Sequence, residues 1–542
     1  MRRSALAFSF LLLVMLMRSW SPVGADAAQA GHEVTATHKP KLIIMLVIDQ
    51  FRYDYLVRFR PEFVQGGFNL LLSGANFVNC RYDYATTATC PGHAALATGA
   101  YANLNGIINN SWYDRASHKE IYCVADPDVR LVGAESGTGV SPHYLTADTF
   151  GDELRLASGM KSRVVAISWK DRAAIMMGGH MPSAVYWADP RTAHFITSTY
   201  YTNALPGWVK AFNAAEPAKA YCGKPWQALP ETPGVGGEVL HPAATAPGEP
   251  CPSPKFAEHL PSTPFANQLE LNFAAAAIEH ENLGQGPATD LLAVSLSAND
   301  YIGHAYGPYS PEVADATLRT DRYLADFFKK VDRLVGLDKV WITLSGDHGA
   351  APSPAFIVQH HLGPGRLDIN AVRRAVQSAL DKAYGQGEWI ANMDEFYIYL
   401  NHRLLDSRQI NISNAQVLAA EAAMSVAEIR AAFTRTQIMS GNLPSTPLAR
   451  KVFNSFNPKR SGDVFLIPMP FAVVTGKMTG TNHGTPWNYD AQVPLVFWGQ
   501  AFKTGNYPMP TQPIDLSPTL AGALGLTQPS DAQGQPLTQI LK

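Results

Sequence analysis

The chain has few charged residues and no excess of positive charge. Only 16% of its 542 residues are charged, below the ~25% usual for globular domains. Its 43 basic and 45 acidic residues give a formal net charge of −2. With 46% hydrophobic residues it is not a disordered polyelectrolyte, and it has no spare positive charge for a nucleic-acid backbone or an anionic lipid surface. We therefore expect a globular protein without a nucleic-acid-binding surface.

Long hydrophobic runs are also scarce. After the first 30 residues, no segment offers the roughly 20 uninterrupted apolar residues of a membrane span, so we expect no span in the mature chain.

Near the start, two arginines precede an apolar run over residues 5–17, and a proline and small residues follow. This pattern predicts a signal peptide over residues 1–27, with the mature chain starting near Asp26 or Ala28. We expect export to the periplasm or the medium, by either the twin-arginine or the general route.

Cysteine is sparse, and the five cysteines cannot all pair within one chain. None lies in a C-x-x-C spacing, which disfavours a zinc site made of thiolates. Cys222 and Cys251 share one Pro/Gly-rich stretch and are the first predicted disulfide. Cys80 with Cys123 is the second candidate pair, which would leave Cys90 unpaired.

Short apolar runs rich in β-branched residues recur along the chain with helical segments between them. This alternation predicts an α/β fold with a mostly parallel central sheet and helices on both faces. The runs cover residues 41–48, 162–168, 290–297, 338–344 and 493–498. A long amphipathic helix is predicted over 311–334, and a last helix is predicted with Ser517 as N-cap and Pro518 in its first turn.

Two regions interrupt this alternation within a single catalytic domain predicted over residues 28–542. Residues 205–265 are rich in Pro, Gly and Ala and predict a long surface excursion or lid. Residues 352–475 are interpreted as an inserted subdomain. It contains helical patterns over 367–384 and 414–434 and a strand-like run at 396–400.

Aspartates and histidines follow the predicted strands. Because the carboxyl ends of parallel strands share one edge of a sheet, such residues can converge there. The six are Asp49, Asp300, His304, Asp347, His348 and His483. Each alone is most simply a turn or cap residue. Their occurrence at four separate points of the chain indicates a shared site.

Six oxygen and nitrogen ligands suffice for two metal ions. Carboxylate with imidazole and no sulfur favours zinc, with manganese or iron as alternatives, whereas magnesium and calcium prefer oxygen shells. We predict two zinc ions per chain, each with an open position for a substrate or nucleophile. The predicted partition gives one ion to Asp300, His304 and His483 and the other to Asp49, Asp347 and His348.

A nucleophile candidate lies in the segment 86–93, which continues into the helical pattern of residues 94–98. Pro91 suits the first helical turn, which places Thr89 just before a helix N-terminus, where anions are favoured. By position alone Thr89 is more simply a helix cap. Beside a two-metal site, we predict it to be both nucleophile and metal ligand. Cys90 is intrinsically more nucleophilic, but the turn needs only one attacking side chain.

These motifs together resemble the alkaline phosphatase superfamily, in order and over most of the chain. They are Asp49, the turn Thr89-Cys90-Pro91-Gly92-His93, Asp300-x-x-x-His304, Asp347-His348-Gly349 and His483-Gly484. Lys170 and Arg172, which follow a predicted strand, and Asn110, 21 residues after Thr89, resemble the monoesterases of the PafA type. The resemblance implies that these three side chains bind the non-bridging phosphoryl oxygens. It also implies that Lys170 replaces a magnesium ion used elsewhere in the superfamily.

The implied function is hydrolysis of small-molecule phosphate monoesters at alkaline pH, through a phospho-threonine at Thr89 and with inorganic phosphate as product. A monoester dianion exposes more negative charge than a diester, which suits the two fixed cations Lys170 and Arg172. Those cations oppose the nearest alternative, a nucleotide pyrophosphatase or phosphodiesterase. Export opposes a cofactor-independent phosphoglycerate mutase. A non-catalytic zinc-binding secreted protein is the alternative of another class.

Overall fold

The computed structural model describes residues 39–245 and 249–542, so the predicted signal peptide over residues 1–27 lies outside the described part. The strands in chain order are β1 (Leu42–Ile48), β2 (Ala75–Phe77), β3 (Ser111–Asp114), β4 (Lys119–Tyr122), β5 (Leu131–Val132), β6 (Val164–Ser168), β7 (Ala184–Ala188), β8 (Phe195–Ser198), β9 (Trp226–Gln227), β10 (Val239–His241), β11 (Asp290–Leu296), β12 (Val340–Gly346), β13 (Gly365–Leu367), β14 (Ile390–Met393), β15 (Tyr397–Leu400), β16 (Ile429–Thr434), β17 (Val464–Pro468), β18 (Ala472–Val474), β19 (Leu495–Trp498) and β20 (Gly505–Tyr507). The α-helices are α1 (Tyr53–Arg58), α2 (Phe68–Leu72), α3 (Thr89–Thr98), α4 (Ala102–Asn105), α5 (Phe150–Ala157), α6 (Asp171–Gly178), α7 (Gly207–Ala214), α8 (Pro254–His259), α9 (Phe265–His280), α10 (Ala298–Tyr306), α11 (Pro311–Leu334), α12 (Pro354–Gln359), α13 (Ile369–Tyr384), α14 (His402–Ser407), α15 (Ile412–Met424), α16 (Arg435–Met439), α17 (Pro447–Ser455), α18 (Asn488–Ala491) and α19 (Leu516–Leu524). None of these described helices has the length and apolar character needed to cross a bilayer.

The central sheet has ten strands in the order β20-β2-β19-β12-β1-β11-β6-β7-β8-β5. The five neighbours from β12 to β7 are all parallel, whereas β19 pairs antiparallel with β12. β1, β11 and β12 are buried along their whole length, which explains their continuous apolar sequences. The predicted α/β fold with a mostly parallel sheet is confirmed.

The two faces of β1 contribute to two separate hydrophobic cores. Leu42, Ile44, Leu46 and Ile48 pack in the core that also holds apolar residues of α9 and α11. The alternating residues Ile43, Met45 and Val47 pack in the core that holds residues of α3, α5, α6 and α19. Helices therefore cover both faces of the sheet, as the sequence predicts.

The last helix differs from its prediction at its start. α19 begins at Leu516, and Ser517 lies inside it instead of capping it. The Ser517 hydroxyl donates a hydrogen bond of 2.6 Å to the carbonyl of Leu96, near the end of α3. The N-cap prediction is wrong because this hydroxyl links two packed helices. Pro518 is in the first turn as predicted, and the helix predicted over 311–334 is confirmed as α11.

Residues 352–475 contain a four-stranded sheet, in the order β14-β15-β17-β16, with a hydrophobic core of its own. The predicted strand near 396–400 forms as β15, and the predicted helix over 367–384 forms as α13. The helix predicted over 414–434 is wrong in its second half, because α15 ends at Met424 and β16 follows. Residues of β16 pair antiparallel with β17, and this pairing overrides their helical spacing.

Two disulfides form among the five cysteines, and one of them differs from the predicted pairing. Cys222 is bonded to Cys251, as predicted. The other disulfide joins Cys90 to Cys123, so the pairing of Cys80 with Cys123 is wrong and Cys90 is not a free thiol. Cys80 is a buried free thiol. The cause is a tertiary contact, because Cys123 directly follows β4 where the chain returns past the start of α3.

One buried carboxylate on α11 anchors the segment 205–265. Asp315 is fully buried and accepts hydrogen bonds from the Trp226 indole at 2.6 Å, the Leu229 backbone N–H at 2.6 Å and the Thr232 hydroxyl at 2.8 Å. Arg319, one turn further along α11, adds an ion pair at 2.6 Å. The segment thus carries buried polar anchors despite its loop-like composition.

We predict that Asp315→Ala destabilises the protein by about 3–5 kcal/mol, since it leaves buried donors and a cation without their acceptor. The free energy of unfolding, measured by urea denaturation, checks this. Asp326→Ala is the matched control on the same helix, because Asp326 is exposed and its pair with Lys329 should contribute less than about 1 kcal/mol. Equal losses in the two variants would contradict the anchoring role.

Candidate active site

Strand register brings two of the predicted ligands side by side. Ile48, the last residue of β1, pairs with Gly346 of β12 and with Leu296 of β11. The next residues on two of these strands are Asp49 and Asp347, which therefore emerge at adjacent strand tips. On the other side of β1, the chain leaves β11 and enters α10 directly.

α10 presents two further ligands from one helical face. Asp300 lies in its first turn and His304 lies four residues later, with Nε2 3.1 Å from Asp300 Oδ1. His483, from a loop late in the chain, places its Nε2 3.7 Å from the same oxygen. The i, i+4 spacing thus allows both α10 side chains to reach one ion.

Two groups of three potential ligands result, and they match the predicted partition. Donor atoms lie within 4.8 Å of one another inside each group. The groups are Asp300 with His304 and His483, and Asp49 with Asp347 and His348. They adjoin each other, since the rings of His348 and His483 stack with centroids 3.6 Å apart.

Each of the three histidines is oriented by a backbone carbonyl. Nδ1 hydrogen-bonds to the carbonyl of Thr481 in His304, of Gly349 in His348 and of Thr87 in His483. If Nδ1 carries the proton in each ring, Nε2 is left as the lone-pair donor facing the carboxylates. This is the arrangement of metal-ligating histidines, whose other nitrogen is held by an acceptor.

The second group has the polar atoms that a cation would satisfy. Asp49 Oδ1, Asp347 Oδ2 and His348 Nε2 are buried and have no hydrogen-bond partner among the described residues. Burial, with the neighbouring charge of Asp347, raises the pKa of Asp49 well above its usual value. Burial also lowers the pKa of His348 and His483, which favours the neutral imidazole that a metal requires. The residues present therefore fit a pair of cations bound by oxygen and nitrogen.

Lys170 connects the two groups. It follows β6, is nearly fully buried, and places its Nζ 2.6 Å from Asp49 Oδ2 and 2.5 Å from Asp300 Oδ2. Burial alone would lower its pKa, but the two carboxylates raise it above the ordinary value, so the side chain stays charged. One fixed cation thus already offsets part of the negative charge at this edge of the sheet.

Arg172 is held beside Lys170 by a short polar chain. Its Nη1 donates to the Tyr122 hydroxyl at 3.4 Å, and that hydroxyl donates to Asp171 at 2.5 Å. The tyrosine belongs to β4 and the other two residues to the start of α6. Both cations line the same cavity of about 430 Å³.

The predicted nucleophile lies at the start of α3. Thr89 is the first residue of this helix, while Ala88 occupies the cap position and provides no side-chain cap bond. The prediction from the sequence puts Thr89 just before the helix, whereas Thr89 is the first helical residue. Thr89 is buried, and its hydroxyl makes no hydrogen bond to any residue in the described part of the chain. The hydroxyl therefore does not act as a helix cap.

Gly92 allows α3 to approach the strand tips. A Cβ atom at this position would lie 2.2 Å from the carbonyl oxygen of Asp347 and 2.8 Å from its Cβ. Any side chain would therefore force α3 away from β12. Close contact between the Thr89 helix and the second ligand group depends on this glycine.

Asn110 contacts the same helix start. Its Oδ1 accepts a hydrogen bond of 2.8 Å from the backbone N–H of Cys90, and its own carbonyl accepts one of 2.9 Å from Cys123. The disulfide between these cysteines fixes the contact covalently. The Asn110 amide nitrogen makes no hydrogen bond within the described residues, and Asn110 lines a cavity together with His304 and His483.

Two supporting residues received no role in the sequence analysis. His93 is fully buried, with Nδ1 2.8 Å from the Thr89 carbonyl and 3.3 Å from Asp347 Oδ2. Gln50 donates from its backbone N–H to Asp347 and from its side-chain amide to Asp300. Their adjacency to Thr89 and Asp49 in sequence is a signal that could have identified them.

The cavity next to Asn110 has a volume of about 340 Å³. Glu395 and Asp394 line it, and burial raises their pKa values to about 7 and about 6. Both oxygens of Glu395 accept from the Asn482 side-chain amide, at 3.2 and 3.3 Å. Asn482 directly precedes the ligand His483, so this carboxylate is one residue removed from the candidate metal site.

Comparison with known proteins identifies the class. Residues 43–488 match the family model described as type I phosphodiesterase / nucleotide pyrophosphatase, and the chain belongs to that family. Within it the chain is an alkaline phosphatase-type hydrolase, similar to PafA of Elizabethkingia meningoseptica at 34% identity over 530 residues, covering 94% of this chain and 96% of that protein.

Two further relatives are similar over comparable lengths. PhoV, an alkaline phosphatase of Synechococcus elongatus, is 34% identical over 532 residues, covering 93% of each chain. A protein of Myroides odoratus named calcium-transporting ATPase is 35% identical over 526 residues, covering 93% of this chain and 95% of that one. The crystal structure of PafA superposes with a TM-score of 0.86 at 33% identity, covering 94% of this chain and all of PafA. The expected family and fold are confirmed.

We predict that Gly92→Ala lowers kcat/KM on a phosphate monoester by about 100-fold, because a displacement near 1 Å of the Thr89 helix is enough for such a loss. It should also destabilise the fold by about 1–3 kcal/mol through overpacking. Initial rates and thermal unfolding test both effects.

The matched control is Gly522→Ala in α19, where a Cβ would meet only a Pro536 carbon at 3.6 Å. Alanine at such a helical position is neutral or stabilising. A Gly92 variant as active and stable as this control would show that α3 is not held by contact with Asp347.

Proposed function

We propose that the protein is an exported alkaline phosphatase that hydrolyses phosphate monoesters through a phospho-threonine at Thr89, beside a pair of zinc ions. One observation carries the proposal. Thr89 is buried at the start of α3, and its hydroxyl makes no hydrogen bond to a described residue. At Gly92 this helix packs against Asp347, at the edge where the two ligand groups and the cations Lys170 and Arg172 are gathered. Export rests on the predicted signal peptide and is consistent with two disulfides.

The ligand groups would hold one ion each, with the aspartates as oxygen donors and Nε2 of each histidine as nitrogen donor. Carboxylate and imidazole without sulfur favour zinc in both places. When bound, the ions supply positive charge that stabilises the alkoxide form of Thr89 and the departing alcohol oxygen. Thr89 would thereby also serve as a ligand on the side of Asp49, Asp347 and His348.

The reaction consists of two in-line displacements at phosphorus. Thr89 Oγ1 forms a bond to phosphorus as the bond to the leaving alcohol breaks, and the alcohol departs with a proton from solvent. A water molecule then attacks the phospho-threonine from the opposite side. The bond to Thr89 Oγ1 breaks, and inorganic phosphate is released. Backbone N–H groups at the start of α3 favour the anionic intermediate.

Lys170, Arg172 and Asn110 would bind the non-bridging oxygens. Phosphoryl transfer is dominated by positioning and charge, so two cations and a neutral donor suffice to hold a dianion in place. Lys170 Nζ contacts Asp49 and Asp300 and lies 5.2 Å from the centroid of the Tyr301 ring. The Asn110 amide nitrogen makes no hydrogen bond to a described residue and can donate. Arg172 is pre-oriented by Tyr122, which reduces the entropy lost when the guanidinium binds.

A solved variant of PafA supports these assignments. It carries substitutions of one threonine, one asparagine, one lysine and one arginine of that enzyme. The first two are 21 positions apart and the last two are two positions apart, the spacings of Thr89, Asn110, Lys170 and Arg172 in this chain.

The alternatives differ in substrate or in chemistry. A phosphodiesterase or pyrophosphatase of the same family would use the same metal ligands but has less need of two cations for its substrate. The ATPase named among the relatives would release an anionic leaving group. A non-catalytic zinc-binding protein would need no free threonine hydroxyl at the ligand edge.

We expect the Thr89→Ala variant to retain two zinc ions per chain, since six ligands remain. Its turnover should fall by at least about 10³-fold, because the nucleophile is removed. Asp300→Asn should bind about one ion fewer, because the charged ligand of one group is gone. Elemental analysis of purified protein, alongside 4-nitrophenyl phosphate hydrolysis, measures both. Undiminished turnover by Thr89→Ala would refute the phospho-threonine.

Replacing both Lys170 and Arg172 with alanine should reduce kcat/KM on 4-nitrophenyl phosphate by about 10³-fold, as two charge-assisted contacts are lost. The decrease in kcat/KM on methyl 4-nitrophenyl phosphate, the matched diester, should be at least about tenfold smaller. Lys329→Ala, at an exposed position of α11, is the control for removing positive charge. Equal losses on the two esters would favour the phosphodiesterase.

A further inference from the structure

The 340 Å³ cavity described above adjoins the candidate ligand group of Asp300, His304 and His483. It is lined by His304 and His483, two candidate ligands of one group, and by Asn110, which accepts a hydrogen bond from Cys90 in the first turn of the Thr89 helix. An in-line attack from Thr89 expels the alcohol on the far side of phosphorus. An alcohol departing toward the His304 and His483 group would therefore enter this cavity.

Acidic side chains dominate the charge of this cavity. Glu120, Asp394 and Glu395 line it, and no lysine or arginine does among the described residues. Asp394 is occupied by the backbone N–H groups of Phe396 and Tyr397, at 2.7 and 2.6 Å. Within the part of the chain that the structure describes, Glu395 accepts side-chain hydrogen bonds only from Asn482, although a carboxylate has about four acceptor positions.

We propose that Glu395 is a specificity-determining residue that selects leaving alcohols which are neutral and carry hydrogen-bond donors, such as polyols, and disfavours leaving groups that carry an anionic substituent. This inference rests on the proposed monoesterase function. The half-buried Glu395 carboxylate can accept from a hydroxyl, whereas a second anion in the same cavity meets repulsion that solvent screens only in part. Glu120, which also lines the cavity but is exposed, adds a weaker repulsion of an anionic leaving group.

The test compares two esters that share a three-carbon skeleton and differ in one group. Glycerol 3-phosphate carries a CH₂OH where 3-phosphoglycerate carries a carboxylate. We expect the zinc-loaded enzyme to show kcat/KM about tenfold higher for glycerol 3-phosphate. Glu395→Gln keeps the hydrogen bond to Asn482 and removes the charge, so the ratio should fall by about tenfold, mainly through KM for the anionic ester.

Controls separate charge in the cavity from charge elsewhere. Glu120→Gln should lower the ratio by about twofold to threefold, because its charge is exposed and screened. Glu421→Gln, at an exposed position of α15, should not change the ratio. Because each ratio is taken within one protein sample, a smaller active fraction in any variant cancels.

A binding measurement provides a readout besides turnover. In the Thr89→Ala background, Glu395→Gln should tighten binding of 3-phosphoglycerate by about tenfold in calorimetry and leave the Kd of glycerol 3-phosphate within about threefold. Two esters hydrolysed equally well, or a ratio unmoved by Glu395→Gln, would overturn the inference while the monoesterase stands. If the metal-loaded enzyme hydrolyses neither ester nor 4-nitrophenyl phosphate, the proposed function falls and the inference with it.

Discussion

The structure depends on bringing three buried carboxylates together at one sheet edge. Asp49, Asp300 and Asp347 are held there by parallel register and by a helix that begins as β11 ends. Mutual repulsion in a buried setting would oppose this arrangement, and Lys170 offsets it by contacting two of the three. The remaining unsatisfied atoms, Asp49 Oδ1 and Asp347 Oδ2, define where further positive charge belongs. The need to balance the negative charge of these buried carboxylates therefore constrains both the fold and the chemistry of the site.

The fold and the ligand edge were predictable because both are local in sequence. Buried parallel strands are continuous apolar runs, and polar residues directly after them must meet at the carboxyl edge. This reasoning located Asp49 and Asp347 from strand ends alone. The roles of Lys170, Arg172 and Asn110 came from the family resemblance, and the structure shows positions consistent with those roles.

Sequence patterns did not predict the features that depend on contacts between residues distant in sequence. The Cys90 pairing follows from the return of β4 past α3, which no spacing pattern reveals. The second half of the helix predicted over 414–434 is instead a strand, because β17 provides an edge to pair with. Ser517 has the composition of a cap, yet its hydroxyl bonds to a helix 421 positions away in sequence. In each case a tertiary partner overrides a correct local preference.

The Cys90–Cys123 bridge lies one residue from Thr89, and Cys123 directly follows Tyr122, the residue that holds Arg172. The crosslink therefore joins the start of the Thr89 helix covalently to the segment that supports Arg172. A chain in a reducing environment would lack this bond. Thr89 and Arg172 would then be held less firmly together until the thiols are oxidised.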